Sequence, residues 1–239
     1  MRASGIEEER VMDRAEAERR ILRSGWLADQ SEDLRGAVLK ASRLVRYPSG
    51  EFVFSAGDGE GGVYGVVAGG VGIYIPSGAG DMVLAHVLRC GVWFGYGPLV
   101  QGRERRLSFS LVEPSLLVHM PLASAQEIAG RSPLHQRAML SVSEYGMDVA
   151  IRIIETLLIR GADRRIASTL LRVAPPRDGG ESSAEVRLTQ SQLGEMANAE
   201  RQVVNRVLKR LEAEGWIRVS YGRIEIADGA ALEDFARAR

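Results

Sequence analysis

The chain contains one cysteine, Cys90, which excludes an internal disulfide framework. It equally excludes a structural zinc site or an iron–sulfur cluster built on four cysteines of one chain. Net charge is missing too: 31 basic and 31 acidic residues give a formal charge of +0. A whole-chain basic footprint for nucleic acid is therefore absent, and any such reading needs local charge. No run of about 18 apolar residues occurs, so no membrane span is predicted. The N-terminus carries Glu7, Glu8, Glu9 and Arg10 and lacks the apolar core of a signal peptide, which points to a cytoplasmic protein. His86, His119 and His135 fall at no metal-ligand spacing, and neither a Ser/His/Asp grouping nor a phosphate-loop signature is present. These absences predict no enzyme, no metal and no cofactor.

What is present suits a globular protein of two domains: 239 residues, of which 45% are hydrophobic. Residues 1 to about 15 read as a mobile polar arm, with Met12 an alternative start. From Glu16 to Val45 the apolar positions Ile21, Leu22, Trp26, Leu27, Leu34, Val38 and Leu39 recur at three- and four-residue steps, predicting two or three short helices. Between Arg46 and Pro121 glycines are dense and β-branched residues frequent. Strands are predicted at Val63–Val67, Val71–Ile75, Met82–Leu88, Leu107–Val112 and Ser115–Met120, a spacing that suggests a small barrel or jelly roll.

A helix is then predicted from Ser132 to Ile159. One apolar stripe runs through Met139, Val142, Gly146, Val149 and Ile153; a second runs through Leu140, Met147, Ala150, Ile154 and Leu157. One stripe suits packing on the β domain, and the other suits a seam with a second chain. Gly161-Ala162-Asp163 breaks that helix, Asp163 is placed to cap the next, and the next runs from Arg164 to about Val173 before Pro175-Pro176. A polar loop is expected over Arg177–Ala184.

Leu188–Glu212 carries the functional signal. Thr189 is a helix cap. Leu193, Ala197, Ala199, Val204 and Val207 occupy interior positions of a helix-turn-helix, Gly194 stands where its helices cross, and Asn198 takes a left-handed turn. Residues 201–210 hold Arg201, Arg206, Lys209 and Arg210 with no acid among them. The second helix presents Arg201, Gln202, Asn205, Arg206 and Lys209. Arginine donates twice to guanine, and Gln or Asn pairs with adenine. Lysines and arginines farther along meet phosphates, as do Thr189 and Gln190 at the start of the first helix. Trp216–Ile226 then reads as a hairpin wing turning at Tyr221-Gly222.

With these motifs the chain resembles the cAMP receptor protein/Fnr (Crp/Fnr) family of transcription regulators. The supporting stretches are Pro48–Asp58, Tyr64–Val71, Gly91–Gly95 and, most specifically, Leu188–Glu212. The resemblance implies an α+β fold: a cyclic-nucleotide-binding-type β-roll sensor over residues 1–131, a long dimerisation helix over 132–161 and a winged helix-turn-helix over 162–239. It also implies a homodimer on double-stranded DNA, at a near-palindromic site with half-sites about 34 Å apart, and contact with RNA polymerase. By the same resemblance Arg201, Gln202 and Arg206 read bases. Cyclic-AMP-responsive members commonly carry Glu at the middle position, so the target of this chain is expected to differ from theirs.

The resemblance places an effector pocket at Gly95, Tyr96, Arg105 and Arg106. There Tyr96 replaces the family's ribose-binding Glu, Arg106 replaces a Ser, and Ala150-Ile151 replace the Thr-Ser offered to adenine; only Arg105 matches. These departures argue against cyclic AMP in the usual geometry. Two readings stay open: the arginines bind another small anion, or Tyr96 and Leu107 fill the pocket, the arginine run is a solvated face and the roll is a scaffold. Cys90 reads as a small buried hydrophobe. The competing functional class is a nucleotide- or metabolite-sensing adaptor that works through protein contacts.

Overall fold

The computed structural model describes residues 12–59, 61–77, 81–176 and 184–238. The N-terminal arm up to residue 11 and the loop expected over residues 177–183 lie outside the described residues. Helices α1 (Arg14–Ile21) and α2 (Glu32–Ala41) flank a 3-10 turn at Trp26–Asp29. Asp13 and Ser31 cap them by accepting from the N–H groups of Glu16 and Leu34. Strands β1 (Arg43–Tyr47), β2 (Phe52–Phe54), β3 (Gly62–Ala68), β4 (Val71–Pro76), β5 (Met82–Leu88) and β6 (Trp93–Phe94) follow. A short helix α3 (Gly97–Gln101) and strands β7 (Ser108–Leu111) and β8 (Ser115–Pro121) complete this half.

Two antiparallel four-stranded sheets form the roll, in the orders β1-β8-β3-β6 and β2-β7-β4-β5. Their inner faces meet through Phe54, Tyr64, Phe94 and Phe109, with ring centroids 4.7 to 6.0 Å apart. The β4–β5 ribbon contains one irregularity. Ile73 pairs with His86 but Tyr74 pairs with Leu84, so Ala85 bulges out of the ladder.

Helices α4 (Leu122–Gly130), α5 (Pro133–Leu140) and α6 (Val142–Leu157) then lead to the C-terminal half. That half holds α7 (Ala162–Val173), β9 (Ala184–Val186), α8 (Gln190–Ala197), α9 (Arg201–Ala213), β10 (Ile217–Ser220), β11 (Arg223–Ile226) and α10 (Gly229–Arg237). Its three strands pair antiparallel in the order β10-β11-β9. No helix among the described residues is long and apolar enough to cross a membrane.

Several expectations need correction. The single helix predicted over Ser132–Ile159 is two helices meeting at Ser141. The carbonyl of Ala138 receives the Trp26 indole N–H at 3.1 Å and the Ser141 hydroxyl at 2.8 Å. Glu144 N–H turns back only three residues, to Ser141 O. Asp163 is no N-cap: Gly161 holds that position, and Asp163 sits in the first turn of α7, accepting from Arg164 N. The helical reading through Val45 overruns into β1, and Ala184, assigned to a loop, begins β9. The two apolar stripes separate as predicted. Met139 and Val142 are buried, whereas Met147 is 59% exposed and Ile154 55% exposed.

Candidate nucleic-acid interface

The helix-turn-helix is fixed by three local constraints. Thr189 Oγ1 accepts from Gln192 N at 3.2 Å, and Gln192 Oε1 accepts from Thr189 N at 2.9 Å, a reciprocal cap on α8. Asn198 ends that helix at φ 45°, the left-handed conformation that asparagine tolerates. A Cβ on Gly194 would lie 2.6 Å from Ala199 O, so only glycine fits the crossing. Gly194→Ala is accordingly expected to destabilise the winged half by about 1–3 kcal/mol. A thermal melt checks this, and an unchanged transition would refute the close crossing.

Leu193, Ala197, Val204 and Val207 bury themselves in the core of this half. The opposite face of α9 is thereby left to solvent. Arg201, Gln202, Asn205, Arg206 and Lys209 together line an open concavity there. The three cations bear no ion pair to any described residue. Asn205 donates to Gln190 Oε1 at 3.3 Å, tying the exposed faces of the motif's two helices. Thr189's hydroxyl is engaged in the cap and also donates to Gln192 Oε1. Arg210, counted in the local charge, turns away: it pairs with Asp163 at 3.5 Å and lies 5.4 Å over the Phe235 ring. The wing turns as predicted, with Gly222 at φ 68° and Tyr221 fully exposed at the tip. Its arginines are paired, Arg218 with Glu225 and Arg223 with Glu185.

The second site is a cavity of about 360 Å³ between the roll and α6. Gly95, Tyr96, Arg105 and Arg106 all line it, and so do Ala150 and Leu107. Filling does not describe it, and of the arginine run Arg103 and Arg106 are exposed as expected of a solvated face while Arg105 is not. Tyr96 leans onto Gly146, whose missing side chain makes room for the phenol, and the cavity stays open beside it. Leu107 stands 37% exposed. Arg105 is no solvated charge: it is 4% exposed, and its fork donates to Gly95 O at 3.2 Å and Gly62 O at 3.1 Å. Its guanidinium carbon sits 3.6 Å over the Phe54 ring.

Both halves match known domains. Residues 44–132 match the family model of the cyclic nucleotide-binding domain, and residues 164–235 match that of the Crp-like helix-turn-helix domain. The cyclic AMP receptor protein of Thermus thermophilus is 27% identical over 190 residues, 80% of this chain and 86% of that relative. The chain belongs to the Crp/Fnr family of transcriptional regulators. A solved structure of a cyclic nucleotide binding protein from Ruegeria pomeroyi shares the fold, with a TM-score of 0.71 at 22% identity over 94% of this chain and 99% of that one. A CRP/FNR-family transcriptional regulator from Thermus thermophilus does so with a TM-score of 0.63 at 23% identity, over 82% and 100%. As a Crp/Fnr member the chain is a DNA-binding regulator of transcription.

In this Crp/Fnr chain two side chains, Glu195 and Arg89, join the roll to the winged half, and a third, Arg165, braces the winged half itself. Glu195 of α8 accepts from Leu84 N of β5 at 2.9 Å. Arg89 donates to Val173 O, the end of α7, at 2.6 Å while also pairing with Glu113. Arg165 gathers Ile159 O at 2.6 Å, Ala197 O at 2.5 Å and Asn198 O at 3.1 Å, holding the left-handed turn from behind. The only prior signal was chemical: carbonyls at a helix C-terminus attract cations.

His86 is buried at this junction. Burial first, then the nearby Arg172 and Arg89, hold its imidazole down to about 4. The folded state therefore resists a proton that the unfolded chain accepts near pH 6.5. Stability from this group is full above pH 6.5 and falls as pH drops towards 4, by about 3 kcal/mol in all. His86→Gln is expected to flatten that part of the acid-unfolding curve; a slope identical to that of the parent protein would contradict it.

Proposed function

We propose that the protein is a sequence-specific DNA-binding regulator that acts as a homodimer on a near-palindromic site. The observation that carries this reading is the polar row of α9, Arg201, Gln202, Asn205, Arg206 and Lys209, along one helix face, whose three cations have no ion pair among the described residues. Arg201, Gln202 and Arg206 read base edges, Asn205 reads beside them, and Lys209 meets phosphate. Thr189 and Gln190 add phosphate contacts where α8 begins, since a helix N-terminus favours anions. The second copy docks along the stripe of Met147, Ile151, Ile154, Leu157 and Leu158, all of them exposed in the single chain. On this reading residues 1–131 form the sensor, 132–161 the dimerisation segment and 162–239 the reader. Cyclic AMP in its usual geometry is not the effector on this reading, because Tyr96, Arg106 and Ala150-Ile151 stand where cyclic-AMP-responsive members offer Glu, Ser and Thr-Ser. Contact with RNA polymerase follows from the family relationship.

Selection of bound duplexes from random DNA tests the reading. The expected result is an inverted repeat with half-sites about one helical turn, 34 Å, apart. Recovery of no enriched sequence at physiological salt would overturn it.

A further inference from the structure

We propose that the open cleft walled by β5, α6, α7 and α10 binds a small organic phosphate, at a place apart from the cavity inside the roll. The inference goes beyond the regulator reading: binding does not depend on that reading, and only an effect on DNA would. The cleft has a volume of about 680 Å³, within the usual range of small-molecule sites, roughly 300–1,000 Å³. His86 of β5, Arg152 of α6, Ser168 and Arg172 of α7 and Arg237 of α10 line it. Among the described residues Val149 alone is shared with the cavity inside the roll. The apolar stripe proposed for the second copy lies on another side of α6. Successive helical residues turn by about 100°, so Val149 and Arg152 point away from Met147, Ile154 and Leu158.

The positive charge of the cleft is uncompensated. Its one carboxylate, Glu233, pairs with Arg237. Arg152 is exposed and has no ion pair among the described residues. Arg172 is half-buried and held through Nε, which donates to Thr156 Oγ1 at 2.8 Å. Its two terminal nitrogens have no partner among the described residues. Burial lowers the Arg172 pKa, Glu155 outside the cleft raises it in part, and Arg152 lowers it again. The two guanidinium groups therefore feel one another. Like charges so placed repel, and an anion between them turns repulsion into attraction.

Neutral donors complete the set. His86 is 8% exposed and makes no hydrogen bond to a described residue. Buried polar groups of this kind normally have a partner. Its imidazole, held down to about 4 by burial and the nearby arginines, is uncharged at neutral pH and has one N–H to give. The Ser168 hydroxyl, also without a partner among the described residues, adds another donor. Two guanidinium forks and two neutral donors match the oxygens of a phosphate monoester. Val149, Ile159, Leu171 and Ala236 supply a half-buried apolar flank for the organic part. A ligand seated here touches the roll, α6 and the winged half at once, and so favours the arrangement of the halves described above.

The test uses full-length protein with its three histidines labelled at the ring, and phenyl phosphate as the probe. Magnetic resonance then reports where the anion sits. His86 marks the cleft, whereas His119 stacks on Tyr64 at 4.5 Å beside Arg105 and so marks the cavity inside the roll. Phenyl phosphate should shift the His86 signal saturably, with a Kd on the order of 0.1–1 mM. Inorganic phosphate should bind about tenfold more weakly, and phenol should leave the signal in place. Arg152→Gln, at an exposed position, should keep the thermal transition of the parent and weaken binding about tenfold. Ser168→Ala removes one neutral donor and should weaken it about threefold. A shift at His119 without one at His86, no saturable shift at His86, equal affinity for inorganic phosphate, or unchanged affinity in both variants would each overturn the proposal. DNA selection on the same preparations separates the two readings. Enriched sites without a His86 shift sink the cleft alone, and a His86 shift without enriched sites sinks the regulator alone.

Discussion

Replacing Arg201 by Ala is expected to lower affinity for the selected site at least thirtyfold while relaxing preference at one base pair per half-site. Arg201 is the first residue of α9, exposed and without an ion pair among the described residues, so none of these competes for its guanidinium. A good bidentate base contact discriminates by roughly 1–3 kcal/mol. A two-fold dimer loses it twice, roughly 2–6 kcal/mol, and about 1.4 kcal/mol is a factor of ten. Lys209→Ala supplies the contrast. It should weaken all duplexes alike and shallow the salt dependence by about one unit per chain, the mark of a phosphate contact. Affinity distributions on the selected site, its single-base variants and random DNA tell these apart. Uniform loss for Arg201→Ala would move base reading to another residue of the row.

Ile154→Asp is expected to yield a monomer at micromolar concentration. Ile154 is 55% exposed, flanked by Met147, Ile151, Leu157 and Leu158, and faces away from the roll. A two-fold interface brings equivalent patches together, so the substitution places two carboxylates in one apolar seam. An unpaired charge buried there costs several kcal/mol. The substituted side chain is exposed in the single chain, so circular dichroism should stay unchanged. DNA affinity should fall by about 10²–10⁴, because two half-sites are then no longer engaged together. Sedimentation velocity gives the answer, and a persistent dimer would place the seam elsewhere.

The parts of the molecule readable in advance were those where one position admits few residues. A cap at Thr189, a crossing at Gly194 and a left-handed turn at Asn198 each demand a narrow residue choice. The helix-turn-helix could therefore be located almost to the residue. Strand β5, Met82–Leu88, was equally plain as a short, nearly continuous apolar run. Strands β2 and β6, at three and two residues, are too short to display a period. The break at Ser141 was invisible because its cause, Trp26, lies 115 residues earlier. Arg105 was misread for a similar reason. Its partners are backbone carbonyls, which any sequence offers, so nothing marked the side chain as folded inward. Helix α10, unread in the sequence, did carry a local sign, since Asp228 accepts from Ala231 N at its start.

The β4–β5 ribbon is a party wall. Ile73, Ile75 and Ala85 look onto the cavity, while Tyr74, Leu84 and Val87 pack into the core of the reader. The bulge at Ala85 is the one shift of register between the two strands of this wall. Enlarging or shrinking the cavity from this side therefore also reshapes the seat on which the DNA-binding half rests. A lineage reshaping the cavity is steered towards the walls off the ribbon, Phe54 and Ile153.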